Sequence, residues 1–405
     1  MEVMPSKRTV KPVAILALTQ VISWGTLYYA FAIVAPDIGR SLALSPQMVF
    51  GAFSWCLLVA GLVSTPTGIL IDRFGGRLVM AGGSLLCGAG FLLLSRAQDA
   101  AGYLLAWTVL GLSMSSVLYE AAFATLIHLF GAEARRPITT LTLFGGFAST
   151  VFWPLTLYIS TRIGWRDTFC YYGLLQLLVC LPLHLLLERG AGPARAARGK
   201  GTSDLSLRQA LRHPAFWTLA FAFACNSFIF SGLSVHLIPV LHGLGHPLAT
   251  VVLMAASIGP MQVLGRIGEM ALGHRVAPQT VGKLCFAALP GALLALLLFG
   301  RAQWAMGLFC LLYGLSNGIL TIVRGTVPQL LFGARNYGAI SGALAGPSLL
   351  AKAAGPLAIA AVVGLQAEPA VLFGMLLLIS LASLAFFLLA VRGQAATLTP
   401  LPTTP

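Results

Sequence analysis

Long apolar runs, separated by short polar turns, recur along the whole chain, and their length is what most constrains its fold. Approximate runs fall at 13–35, 47–70, 77–95, 102–129, 138–161, 168–187, 215–241, 248–272, 279–299, 303–331, 336–365 and 369–391. A helix needs about 20 apolar residues to cross a bilayer, and each run supplies them. Charged residues are 9% of the 405 and hydrophobic residues 58%, with a mean hydropathy of +0.89. A water-soluble surface takes roughly a quarter of its residues charged, so lipid must solvate most of this chain. The period-2 alternation of a membrane barrel is absent. The expected fold is therefore an all-α membrane protein of twelve transmembrane helices, with a lipid bilayer as its surroundings.

The net charge of +14 does not mark a nucleic-acid binder, because the basic residues alternate by loop. With the N-terminus inside, one side holds Lys7, Arg8, Lys11, Arg73, Arg77, Arg135, Arg136, the run from Arg189 to Arg212, Arg275, Lys283, Arg335 and Arg392. The other side has Arg40, Arg96, Arg162, Arg166 and Arg301. This is the positive-inside pattern and predicts two cytoplasmic termini in a multi-pass protein of the cell inner membrane. The first apolar run is too long for a cleavable signal. Seven cysteines (Cys56, Cys87, Cys170, Cys180, Cys225, Cys285 and Cys310) lie singly and mostly within apolar runs, which argues against a disulfide framework.

The longest polar interruption, 188–213, is basic and rich in Gly and Ala, as suits a flexible linker against an anionic leaflet. It divides the chain into a six-helix bundle over 1–187 and a second over 214–393, followed by a Thr/Pro-rich tail, 394–405, expected to be disordered. The halves echo each other. Gly68 precedes Asp72 by four residues with Arg77 beyond, and Gly265 precedes Glu269 by four with His274-Arg275 beyond. Phe130-Gly131-Ala132 before Arg135-Arg136 has its counterpart in Phe332-Gly333-Ala334-Arg335. Both echoes are offset by about 200 residues, as a parallel duplication predicts, and paired halves around a central site are the logic of alternating access.

The turn Gly68-x-x-x-Asp72-Arg73-x-Gly75-Gly76-Arg77 resembles the loop 2–3 motif of the major facilitator superfamily, and a loop 8–9 copy begins at Gly265. Length, span count, linker and paired motifs extend the resemblance over nearly the whole chain. It implies the major facilitator fold and a secondary carrier that takes a small-molecule substrate as a monomer. It further implies a conformational gate at Gly68, Asp72, Arg73, Gly76 and Arg77, with Gly265, Glu269 and Arg275 as the second copy. In that motif a carboxylate near helix N-termini and its Arg partners hold the halves together. Within the superfamily, Phe144-Gly145-Gly146, Pro154 and Gly164-Trp165-Arg166 are similar to the monocarboxylate and oxalate/formate branch. Span 4 lacks the Arg of drug/proton antiporters. Arg266 falls where monocarboxylate carriers place a carboxylate-binding Arg, but Gln262 replaces the Asp expected one turn earlier.

Ionisable side chains inside membrane helices cost roughly 2.5–3.5 kcal/mol on insertion scales, so each needs a reason. Four stand out: Glu120, Arg266, Arg324 and Lys352. Spans 1, 4, 7 and 10 line the cavity of this fold, and Glu120 and Arg324 lie at similar depths of about 10–14 Å on opposite halves. An exchangeable pair is expected of them, handling substrate or a proton; a static pair or two snorkelling side chains are the alternatives. Arg266 either binds carboxylate or belongs with Glu269 to the second gate. Lys352, between Gly346-Pro347 and Gly355-Pro356, is either an anion anchor or a lipid-facing snorkeller, and those Gly-Pro pairs are expected to break the helix. Trp24, Tyr28 and Tyr29 either stack on a planar solute or anchor at the interface. Asn226, Ser227, His236 and Asn317 are more simply helix–helix hydrogen bonders.

No phosphate-binding G-x-x-x-x-G-K-[ST] loop, H-E-x-x-H or G-x-S-x-G motif is present, so no enzymatic role, catalytic residue, metal site or cofactor is expected. The expected cargo is a small organic anion or metabolite, with protons as coupling ion. Efflux of a drug or trivalent arsenical, uptake of a planar nutrient such as a flavin or iron chelate, and a channel are the alternatives.

Overall fold

The computed structural model describes residues 7–188, 204–273, 275–364 and 369–392, and these residues form helices and turns with no strand among them. Most of the expected linker, the tail and His274 lie outside the described residues. Eleven stretches are long and apolar enough to cross a membrane. One of them, Arg135–Leu185, holds two limbs that meet at Gly164, whose φ of +79° turns the chain there. Counting both limbs recovers the twelve expected spans. Side chains on the outward faces stay apolar: Leu62, Leu178, Leu253 and Leu378 are each about 70% exposed, which only a lipid solvent tolerates.

The chain groups into two compact units, Met1–Asp204 with Ala334–Ala353, and Leu205–Gly333 with Ala354–Pro405. In the first unit, α1 (Lys7–Trp24) runs through a π-helical turn, Gly25–Tyr29, into α2 (Ala30–Ser41). Then come α3 (Pro46–Phe74), α4 (Gly76–Arg96), α5 (Ala100–Val117), α6 (Tyr119–Phe130), α7 (Arg135–Gly145), α8 (Ala148–Leu175) and α9 (Leu181–Leu185). Local chemistry sets the ends. Ser45 caps α3 by accepting from the Met48 N–H at 3.2 Å, with Pro46 next to it, and Asp99 caps α5 by accepting from the Gly102 N–H at 2.8 Å.

Two apolar clusters fill this unit. One contains Phe31, Phe91, Tyr103, Trp107 and Phe169, with Phe31 stacked on Phe53 at 4.6 Å and Phe91 on Phe169 at 5.4 Å. The other gathers Leu16, Ile71, Met80, Phe123, Ile138 and Tyr337. Between helices runs a buried polar seam. His184 meets Ser84 Oγ through Nδ1 at 2.8 Å and Thr19 Oγ1 through Nε2 at 3.0 Å, while Gln176 Nε2 donates to Thr26 Oγ1 at 3.2 Å. Such bonds hold helices together where the hydrophobic effect between them is weak.

The second unit contains α10 (Leu207–Arg212), α11 (Pro214–His242), α12 (Leu248–Ala256), α13 (Ile258–Leu272), α14 (Pro278–Phe299), α15 (Gln303–Phe332) and α17 (Pro369–Arg392). Phe286 stacks on Phe387 at 4.3 Å, and Asn226 Nδ2 donates to Ser383 Oγ at 2.8 Å. Helix α16 (Tyr337–Gly364) contributes residues to both units. It runs unbroken through Gly346-Pro347 and Gly355-Pro356, contrary to the expectation of breaks there. Helices α3, α14 and α15 likewise run through Pro66, Pro290 and Pro328, and membrane helices tolerate such prolines because neighbouring helices and local adjustments satisfy the carbonyls they free.

Small residues bring α3 and the first part of α16 into backbone contact. A Cβ at Gly68 would strike the Gly338 carbonyl, and one at Gly342 would strike the Ser64 backbone. Ser64 Oγ lies 2.5 Å from the Gly342 carbonyl and 2.8 Å from that of Gly61, shared as donor between the two. Gly342→Leu should therefore force the pair apart, with an overpacking cost of about 1–3 kcal/mol. A lowered melting temperature of the purified protein in detergent is the expected outcome.

Candidate functional site

A small, partly open cavity lies in the first unit, between α1, α3, the α5–α6 junction and α16. Three distinct local structures place its polar groups. The first is the π-helical turn at Gly25–Tyr29, in which the Ala30 N–H reaches back to the Gly25 carbonyl. The widened turn sets Tyr28 and Tyr29 beside Trp24, with ring centroids 5.5 and 6.4 Å away. Trp24 also packs at 5.0 Å against Tyr119, which stacks on Phe123. π-Turns inside helices are frequent at functional sites.

The second is a break in span 4. Leu118 leaves the helical region (φ −89°, ψ −168°), so the helix restarts at Tyr119 and Glu120 falls in its first turn. A carboxylate there is favoured by the helix dipole. The carbonyl freed at Val117 is satisfied from another helix: Gln20 Nε2 donates to it at 2.6 Å, and Gln20 is fully buried. The third is the continuous α16, which carries Lys352 to the cavity. Its Nζ stands 5.8 Å from the Trp24 ring centroid, within cation–π range. Glu120, Lys352, Trp24 and Tyr28 thus line one cavity, together with Ser64 and Ser115.

The gate residues cluster where α3 ends. The Asp72 carboxylate accepts from the Gly338 N–H through Oδ1 and from the Ala339 N–H through Oδ2, each at 2.8 Å. These are N–H groups at the start of α16, where the macrodipole favours an anion. Gly68 lies one turn before Asp72, and its close approach to Gly338 makes that reach possible. Gly75 (φ +77°) turns the chain, and a Cβ at Gly76 would strike Thr125. Arg73 is exposed over the Phe74 ring at 5.1 Å, and the Arg77 Nε is buried without a hydrogen-bond partner. The resemblance led us to expect Arg partners for Asp72; the hydrogen bonds described for its carboxylate come from the two backbone N–H groups.

In the second unit Gly265 packs on the Leu315 carbonyl, and the adjacent Arg266 and Glu269 are buried at 5% and 6% exposure. Arg266 Nε lies 3.4 Å from the Gly318 carbonyl. Arg275 sits in an exposed turn, its N–H bonded to the Leu272 carbonyl at 2.9 Å. Arg324 donates to Ser227 Oγ and to the Phe223 carbonyl at 3.3 Å, with its guanidinium 5.5 Å from the Phe223 ring centroid. Glu120 and Arg324 belong to different units, each set among its own neighbours. His236 Nε2 lies 3.1 Å from the Pro356 carbonyl. Among the described residues no group of His, Cys, Asp or Glu is placed to hold a metal ion.

Residues 14–356 match the sequence profile of the Major Facilitator Superfamily. The chain belongs to this family. Membership makes it a transport protein, not an enzyme. It is 26% identical over 284 residues to monocarboxylate transporter 3 of Rattus norvegicus, covering 66% of this chain and 56% of the relative. It is 30% identical over 276 residues to monocarboxylate transporter 13 of Bos taurus, covering 65% and 61%. An uncharacterized 38 kDa protein of Thermoproteus tenax is 28% identical over 60% of this chain and 66% of its own. These alignments span less than two thirds of the relatives' own lengths. Among solved structures, the Escherichia coli fucose:proton symporter superposes with a TM-score of 0.73 at 13% identity, over 95% of this chain and all of that one. The human organic anion transporter MFSD10 gives 0.70 at 18%, over the same shares. At such identities the likeness is one of fold.

Sequence reasoning singled out Trp24, Tyr28, Glu120 and Lys352 among the lining residues but missed what arranges them. Neither the π-turn nor the break at Leu118 has a local proline to announce it. The available signal was Gln20, an amide inside the first apolar run that needed a partner. Gln20→Leu should leave the Val117 carbonyl unpaired in a buried site, at a cost of about 1–3 kcal/mol. Thermal unfolding in detergent should show the loss.

Proposed function

We propose that this chain is a secondary carrier of the cell inner membrane that moves a small organic anion together with a proton by alternating access. In this reading both termini are cytoplasmic, two six-helix bundles (1–187 and 214–393) flank the linker 188–213, the tail 394–405 carries no site, and the carrier acts as a monomer. The observation that carries the reading is the cavity itself, which Lys352 and Glu120 line together beside Trp24. Lys352 supplies the positive charge an anion needs. Glu120, which lines the same cavity, is the side chain assigned to the coupled proton. That coupling makes the loaded cavity neutral and able to cross. Two relatives that bear the name monocarboxylate transporter agree with such a cargo.

Asp72 acts as the clasp on the cytoplasmic side: when its two hydrogen bonds part, the start of α16 is released from α3. Gly68, Gly76, Arg73 and Arg77 shape that turn, and Gly265, Glu269 and Arg275 play the corresponding part in the second unit. Arg266 and Arg324 are the basic groups of that unit from which substrate contacts are expected.

Purified protein in liposomes tests the reading. Transport of an organic anion should saturate, be stimulated by the same anion on the far side, and accumulate anion when the outside is acidified. Glu120→Gln should keep exchange but lose acid-driven accumulation at least tenfold, whereas Lys352→Met should lose both. Asp72→Asn should slow exchange while leaving substrate binding within a few-fold. Flux that rises linearly with concentration and ignores anion on the far side would mark a channel and defeat the proposal.

A further inference from the structure

Helix α6 spans the distance from the cavity to the clasp. Non-helical backbone bounds it at both ends, Leu118 (φ −89°, ψ −168°) before it and Gly131 (φ +55°) after it, so its 12 residues form one short rigid piece. Its first turn carries Glu120 to the cavity. Thr125 lies five residues further, about 7.5 Å along the axis at 1.5 Å per residue, and is fully buried. The Thr125 hydroxyl donates to the Ala121 carbonyl at 2.7 Å, which fixes the branched side chain in one rotamer. There it meets Gly76 without slack: a Cβ on Gly76 would come within 1.9 Å of Thr125 Oγ1. His128, three residues beyond, faces Gly75 of the same turn, its Nε2 3.6 Å from where a Cβ would stand.

The turn held in this way is the one that follows Asp72. The Gly75 N–H closes α3 on the Ile71 carbonyl at 2.8 Å, so a shift of Gly75–Gly76 is felt at the helix end that carries Asp72. Ile71, Met80, Ala121, Phe123 and Tyr337, the first residue of α16, belong to one buried cluster, and close-packed interiors transmit a displacement. An ionised Glu120 is favoured by the dipole of α6 and shares its cavity with the Lys352 ammonium, and a proton ends both attractions at once.

Given the carrier reading above, on which this rests, we propose that Thr125 is the positioning residue through which the proton on Glu120 sets the Asp72 clasp. Protonation releases the cavity end of α6, Thr125 carries the displacement to Gly76, and the turn draws the Asp72 carboxylate off the Gly338 and Ala339 N–H groups.

Amide hydrogen exchange over 337–341 of the full chain in nanodiscs reads the clasp, because Asp72 holds two of those N–H groups. Glu120→Gln serves as the protonated mimic at constant pH, so that acid does not act on Asp72 itself. The expected result is exchange at least threefold faster in Glu120→Gln than in the parent, and no further change when Glu120→Gln is added to Thr125→Ala. Thr125→Val, which keeps the branched shape, should retain the threefold response. Asp72→Asn should speed exchange on the Thr125→Ala background too, which shows that this variant is folded and its clasp readable. If Thr125→Ala does not fold, Thr125→Ser takes its place and should cut the response to below half. A response that survives these substitutions, effects of Glu120→Gln and Thr125→Ala that simply add, or a clasp that ignores Glu120→Gln would each overturn the proposal. Anion flux in liposomes separates it from the reading beneath: if Glu120→Gln abolishes acid-driven accumulation while the clasp amides do not respond, the Thr125 route falls and the carrier stands. If flux does not saturate, both fall.

Discussion

The Asp72 carboxylate, seated on two successive backbone N–H groups at the start of α16, is the contact on which the rest of the first unit depends. A carboxylate near a bilayer is costly to bury, and two N–H donors at a helix N-terminus are among the few partners that offset the cost without a second charge. The seat exists only because Gly68 and Gly338 let the two backbones touch, and Gly342 and Ser64 continue the contact one turn further. Lys352 lies fourteen residues beyond Gly338 on the same unbroken helix, about 21 Å away at 1.5 Å per residue. The clasp at one end thereby sets the register that delivers an ammonium to Trp24 at the other.

A second constraint is the bilayer's intolerance of unpaired backbone. Span 4 breaks at Leu118, and the break is survivable because Gln20 crosses from α1 to satisfy the Val117 carbonyl. What the break achieves is a helix start inside the unit, with Glu120 in its first turn and Tyr119 packed on Trp24. The π-turn after Trp24 opposes it on α1, with Tyr28 and Tyr29 gathered around the same ring. Both of these irregular turns thus supply residues to the cavity, and the outward faces stay apolar.

The apolar runs made the architecture legible, since their lengths and turns locate the helices from Pro46–Phe74 to Pro369–Arg392 within a few residues. The Gly68 motif pointed to the end of α3 and to the carboxylate that meets the start of α16. The intramembrane charge rule picked out Glu120 and Lys352, and the aromatic cluster picked out Trp24 and Tyr28. What stayed hidden depends on contacts between residues distant in sequence. Gln20 and Val117 are 97 residues apart, Asp72 and Gly338 266 apart, and no local pattern links either pair. The expected breaks at Gly346-Pro347 and Gly355-Pro356 failed because a membrane helix tolerates proline where its neighbours satisfy the freed carbonyls, as the helices through Pro66, Pro290 and Pro328 also do.

The central claim is that the clasp between α3 and α16 opens in the transport cycle. Pulsed spin-label distance measurement between Phe74→Cys and Arg335→Cys, both exposed and both in the first unit, tests it directly. The account predicts one short distance with Asp72 intact and a second, longer population, several ångströms out, when Asp72→Asn removes the charge or when substrate and an acid gradient drive turnover. A single unchanged distance under all three conditions would mean that α3 and the start of α16 move as one piece, and that the gate lies elsewhere.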